Sequence, residues 1–169
     1  MLRRKNLLLL HNIDAVASQP IGLLVIFITA GVILTLLSFL VPSLLNEAQV
    51  HRVESQIDRI LIEAENMFEY ADNHSSVSIH VEFPASLRFL VLGYLPQNST
   101  DEPANIILEE KTSNNYYYIM NDGTMRCFHS NARFSNKNMT QAAIFYSGCY
   151  DITLELRQRE GKTYVALYT

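Results

Sequence analysis

Between Asp14 and Glu47 the chain carries no charged residue, and the 21 residues from Ile21 to Val41 are almost all Leu, Ile, Val, Phe, Gly, Ala or Thr. As an α-helix such a run spans about 31 Å, close to the thickness of a bilayer's hydrocarbon core. Three roles are open to it: a signal that is removed, an anchor that stays, or a helix that packs against copies of itself. An export signal has an apolar core of only about 7–15 residues. This run is longer, so it is expected to remain in the mature protein. Arg3, Arg4 and Lys5 precede it, whereas acids dominate after it. The positive-inside rule then puts the N-terminus in the cytoplasm and the remainder outside the cell membrane, crossing once.

The rest of the 169 residues suffices for one modest domain. Beyond the apolar run ten Lys and Arg face sixteen Asp and Glu. No basic stripe is present, which argues against nucleic acid as a partner. Cys127 and Cys149 are the only cysteines, an even count that in an oxidising compartment suits one disulfide. It would close a loop of about 20 residues and contribute on the order of 3 kcal/mol. Asn73, Asn98 and Asn138 each open a glycosylation sequon, a weak signal. Cys127, His129 and Cys149 lack the paired spacing of a structural zinc site, so no metal is expected. There is no Gly-x-Ser-x-Gly, phosphate loop or His-Glu-x-x-His, and no cofactor or catalytic residue is assigned. The adjacent acids Asp101-Glu102 and Glu109-Glu110 read as solvated faces, and the chain as a non-enzyme.

Past the span the apolar residues change period. Val50, Val53, Ile57, Ile60, Ala64, Met67 and Ala71 recur in steps of three and four, with Leu61 and Phe68 widening the stripe. One long helix is expected from about Pro20 to Ala71, with a bend at Pro42 and a stop at the turn-forming residues Asp72–Ser76. From Val77 the period is two. Strands are expected at 77–83, 87–94, 105–109, 115–120, 124–129, 151–157 and 163–168, with a hairpin at Asn121-Asp122-Gly123 and a turn in "REGK". Segments 97–103 and 130–140 read as loops. The stripe is expected to lie against the resulting antiparallel sheet or small sandwich. Tyr116, Tyr117 and Tyr118 are consecutive on one strand, so at least one is expected at the surface, where adhesion or subunit contact would use it.

A membrane-length helix continuing into an amphipathic half and then a β-rich head resembles type IV pilin architecture. The entry "DAVASQPIG", Asp14–Gly22, resembles the start of archaeal pilins and pilin-like proteins, in which a charged and a small residue precede a processing site and a Ser-x-Pro-[Ile/Val]-Gly element opens the span. The C-terminal run Ser147–Tyr168 also resembles the closing hairpin of such heads. The resemblance implies cleavage by a prepilin peptidase between Ala15 and Val16, with Ala17 as the alternative cut. It also implies a helix-entry motif at Ser18, Pro20, Ile21 and Gly22. Bacterial pilins carry Glu at the fifth mature position, where this chain has Pro20. The implied organisation is a leader-like segment at 1–15, a transmembrane helix at 16–45, an amphipathic continuation at 46–72 and a β-rich head at 73–169, an α+β fold. The implied function is a structural subunit of a surface filament, partnered by lipid and by identical or related pilin subunits. A permanently anchored binding or adhesion module that never polymerises is the alternative.

Overall fold

The computed structural model describes residues 5–96, 103 and 106–169, with side chains from residue 21 onward. The architecture is α+β: one long N-terminal helix, α1 (Lys5–Tyr70), followed by eight strands in two sheets. The chain divides into two compact units, Met1–Glu47 and Ala48–Thr169.

In the first unit every residue from Ile21 to Glu47 is exposed, although nearly all up to Leu45 are apolar. Three of its four described hydroxyls bond within the helix. Thr35 and Ser38 donate to the carbonyls of Gly31 and Leu34, four residues back, each at 2.8 Å, and Thr29 donates likewise to Val25. A hydroxyl bonded this way leaves no donor unsatisfied in an apolar medium. Pro42, expected as a bend, lies inside α1 without ending it.

In the second unit the expected stripe is the buried one: Val50, Val53, Ile57, Ile60, Ala64 and Met67 are all in the core. The strands are β1 (Ser76–Phe83), β2 (Leu87–Leu92), β3 (Asn115–Met120), β4 (Met125–His129), β5 (Phe134–Asn136), β6 (Ala143–Phe145), β7 (Gly148–Arg159) and β8 (Lys162–Tyr168). One sheet has the order β1-β7-β8-β5 and the other β4-β3-β2-β6. The stripe packs against both, meeting Val81, Ile152 and Leu154 of the first and Leu90, Tyr118 and Met120 of the second in one apolar cluster. Polar groups flanking the stripe tie the helix to each sheet. Gln56 Oε1 accepts the backbone N–H of Glu82 at 3.3 Å on edge strand β1, and Gln49 Oε1 accepts the Ser86 hydroxyl at 3.1 Å. The bond to Gln56 gives one backbone donor of this edge strand a partner. β6 completes the enclosure by approaching β5 and β8.

Several expectations are corrected. No strand forms at 105–109 among the described residues. Ile107 makes only an isolated bridge to Gln141, and residue 105 lies outside the description. Conversely, β5 lies inside the segment read as a loop, and β6 lies where no strand was expected. β5 runs parallel to β8, so that sheet is mixed. None of the three tyrosines is exposed: Tyr116, Tyr117 and Tyr118 are 8, 2 and 0 % accessible. Both faces of β3 are covered. Tyr116 and Tyr118 face the main core, while Tyr117 packs with Phe89, Val91, Ile119 and Ala142 in a second cluster topped by Tyr94 and Ile106.

The turns obey local chemistry. Gly123 takes a φ of +86° in the β3–β4 hairpin, and Asp122 accepts the Thr124 N–H at 2.8 Å. In the β7–β8 turn Glu160 and Gly161 both have positive φ, as a two-residue primed turn requires. Gly93 is fixed by space as well as by its φ of +97°, since a Cβ there would lie 2.6 Å from the Phe134 carbonyl oxygen.

The stripe makes a direct prediction. Ile57→Ala should destabilise the detergent-solubilised full chain by about 2–5 kcal/mol. Ile62→Ala, one turn on but exposed, should change stability by less than about 0.5 kcal/mol. Urea unfolding followed by circular dichroism measures both, and equal losses would contradict the observed facing of the helix.

Candidate functional site

Two parts of the molecule are candidates for function. The first is the helix entry with the apolar segment after it. Asp14, Ala15, Val16, Ser18 and Pro20 lie in the helical backbone of α1, and their side chains fall outside the described residues. Ile21 and Gly22 are exposed. α1 contains one stretch long and apolar enough to cross a membrane, starting at Ile21, and none of that window is buried. The span is thus a candidate by length and composition.

The second is the flank of α1 beside β4, which sequence reading missed. Here Glu54 Oε1 accepts the Tyr118 hydroxyl at 2.8 Å and the Arg126 Nη1–H at 2.7 Å. Three turns on, Glu65 Oε1 accepts the Ser130 hydroxyl at 2.7 Å and the Asn131 N–H at 3.0 Å. Phe128 of β4 stacks over Tyr116 and Tyr118, with ring centroids 5.3 and 6.2 Å apart. The signal was present in part: Glu54, Asp58, Glu65 and Glu69 lie at helical spacing beside the apolar stripe. What the sequence does not supply is the strand that faces them. Burial, and then the charges of Asp58, Glu65 and Glu54, push the Tyr116 phenol up to about 12. Burial and the bond to Glu54 also raise Tyr118.

The bridge expected between Cys127 and Cys149 is not formed; both thiols are free and exposed. The reason is which way each strand faces. On β4, Cys127 pairs with Tyr117, which packs in the outer cluster, while its neighbour Phe128 stacks on core tyrosines. On β7, Ile152, Leu154 and Leu156 face the core, so Cys149 belongs to the opposite face. The thiols therefore lie on the two faces turned away from the shared core. Burial holds the Cys127 thiol above its ordinary range. Asn73 and Asn138 are exposed, and Asn98 lies outside the described residues. His129 bonds to Asn114 and Asn115 at 3.2 and 3.3 Å. Among the described residues no three His, Cys, Asp or Glu side chains converge on a metal position.

Two outcomes follow. Without reductant, iodoacetamide should alkylate both Cys127 and Cys149 of the folded chain; labelling only after reduction would overturn the assignment of free thiols. The raised Tyr116 phenol binds its proton more tightly folded than unfolded, so the stability it contributes is complete below about pH 10 and is lost as pH rises through about 12. Tyr116→Phe should lessen the fall in urea midpoint between about pH 9 and about pH 11. An unchanged fall would contradict the assignment. In comparisons with known proteins, no family model, no curated protein and no solved structure matches this chain.

Proposed function

We propose that this chain is a non-enzymatic, pilin-like membrane protein of the archaeal type IV class, a subunit of a surface filament. Ile21–Leu45 holds it in the cell membrane and the β-rich head lies outside. One observation carries the reading. The amphipathic part of α1 has its stripe enclosed by the head's own sheets, while the part from Ile21 to Leu45 is apolar on nearly all sides and exposed among the described residues. Exposing that surface to water is costly, at about 25 cal/mol per Å². Either lipid or equivalent helices of other copies remove the cost, and a filament subunit uses first one and then the other. A Cβ at Gly22 or Gly31 would meet nothing within 4 Å, so packing inside the chain does not demand these glycines. Close approach of a second helix is a use for them. The helix-entry resemblance at Asp14–Gly22 supports the same reading.

Processing is the test. Intact-mass measurement of the membrane-extracted protein should find a new N-terminus at Val16, or at Ser18 for the alternative cut. An intact Met1-Leu2-Arg3 end would overturn the filament-subunit reading and leave a permanently anchored surface module.

A further inference from the structure

The flank of α1 beside β4 holds a carboxylate that nothing in the head neutralises. The two arginines of this part of the helix are engaged elsewhere: Arg52 pairs with Glu82 of β1 at 3.4 Å, and Arg59 donates to Gln56 at 3.4 Å. Glu54 is paired with Arg126 at 2.7 Å. Glu65 Oε1 accepts two neutral donors, the Ser130 hydroxyl and the Asn131 N–H. Asp58 lies one turn from Glu54 and two from Glu65. It is exposed, and among the described residues it has neither an ion pair nor a hydrogen bond.

Beside Asp58 a groove of about 230 Å³ opens, lined also by Glu54, Ile57, Tyr116, Tyr118 and Phe128. Two of its rings have capacity to spare. Tyr116 is 8 % accessible, yet its hydroxyl has no hydrogen-bond partner among the described residues, whereas the Tyr118 hydroxyl is bonded to Glu54. A hydroxyl so enclosed and without a partner is an unmet hydrogen-bonding group. Phe128 stacks on Tyr116 and Tyr118 with interplanar angles of 18° and 20°, and is itself 38 % exposed. Among the described residues no cation lies over its face. Besides burial, the charges of Asp58, Glu65 and Glu54 raise the Tyr116 phenol, so the potential at this hydroxyl is negative.

We propose that this groove binds a guanidinium group, with Asp58 and the Tyr116 oxygen accepting its N–H bonds and the Phe128 ring lying against its plane. Three features select that occupant. A free carboxylate, an unmet phenol oxygen and an open ring face together call for a cation that donates in its plane and stacks on its faces. An ammonium donates but is more strongly hydrated and has no plane to stack. The molecule itself supplies a precedent, since the Arg126 guanidinium sits on Glu54 one turn away. Pockets for drug-sized ligands run from about 300 Å³. A groove of about 230 Å³ therefore suits one such group rather than a larger molecule. The site does not depend on assembly. A free guanidinium compound and an arginine side chain of another polypeptide present the same group to it.

Chemical-shift titration tests it. The full chain, labelled at its phenylalanine and tyrosine rings, is held in a nonionic detergent at low salt and titrated with argininamide. The Phe128 and Tyr116 resonances should move and saturate. Citrullinamide, which keeps the α-amino group but replaces the guanidinium by a neutral urea, should leave them in place. Lysinamide should bind at least about threefold more weakly. Asp58→Asn should weaken argininamide binding about tenfold and Tyr116→Phe about threefold. Glu63→Gln, which removes an equal charge outside the groove, should change it by less than about twofold. Unmoved Phe128 resonances, equal shifts with citrullinamide, or an Asp58→Asn constant no different from that of Glu63→Gln would overturn the site. Lysinamide binding as tightly as argininamide would overturn the choice of a guanidinium. A blocked Gly-Arg-Gly peptide, titrated in parallel, tells the two sources apart. Binding as tight as that of argininamide assigns the site to an arginine of another polypeptide, and its loss assigns the site to a free compound; either upholds the guanidinium site.

Discussion

The head depends on one helical stripe. Val53, Ile57, Ile60 and Ala64 are at most 2 % exposed because two sheets converge on the same turns of α1. Burying each large side chain of the stripe stabilises the fold by about 1.5–3 kcal/mol. The polar contacts beside the stripe fix how the helix is turned. Gln49 and Gln56 reach toward the side of β1, while Glu54 and Glu65 reach toward β3 and the segment after β4. A rotation of one residue about the helix axis would bury a carboxylate where a valine now sits, at a cost of several kcal/mol.

The same helix has a second section that obeys the opposite rule. From Ile21 to Leu45 its apolar side chains are exposed all round, and the hydroxyls of Thr29, Thr35 and Ser38 turn back onto their own backbone. Such a surface is stable only in a medium as apolar as itself. On the proposed reading, lipid supplies that medium before assembly and equivalent helices supply it afterwards.

Much of the fold was legible because the strong periodicities are long. Six of the seven stripe positions, Val50 to Met67, named the buried face of α1, and alternation from Val77 to Phe83 named β1. The hairpin at Gly123 and the turn at Gly161 were legible because positive φ restricts which residues fit. Short elements were not. β5 and β6 have three residues each, too few to show a period, and β5 finds its parallel partner β8 some thirty residues away. The tyrosine run misled for a related reason. Alternation predicts one outward face, but Tyr94 and Ile106 pack over that face, and nothing local to β3 announces it. The cysteines were read by count, whereas pairing depends on which face each strand turns inward. The acidic flank was visible as spacing only; its rings come from strands more than fifty residues farther along the chain.

The central claim is that the exposed apolar section of α1 lives in lipid and stays attached to the head. Alkaline carbonate extraction of membranes carrying the full chain, followed by flotation on a density gradient, measures this most directly. Retention of the head, detected at its C-terminus, in the floating lipid fraction after extraction is the predicted result. Release of the head into the aqueous fraction, still joined to Ile21–Leu45, would contradict the account.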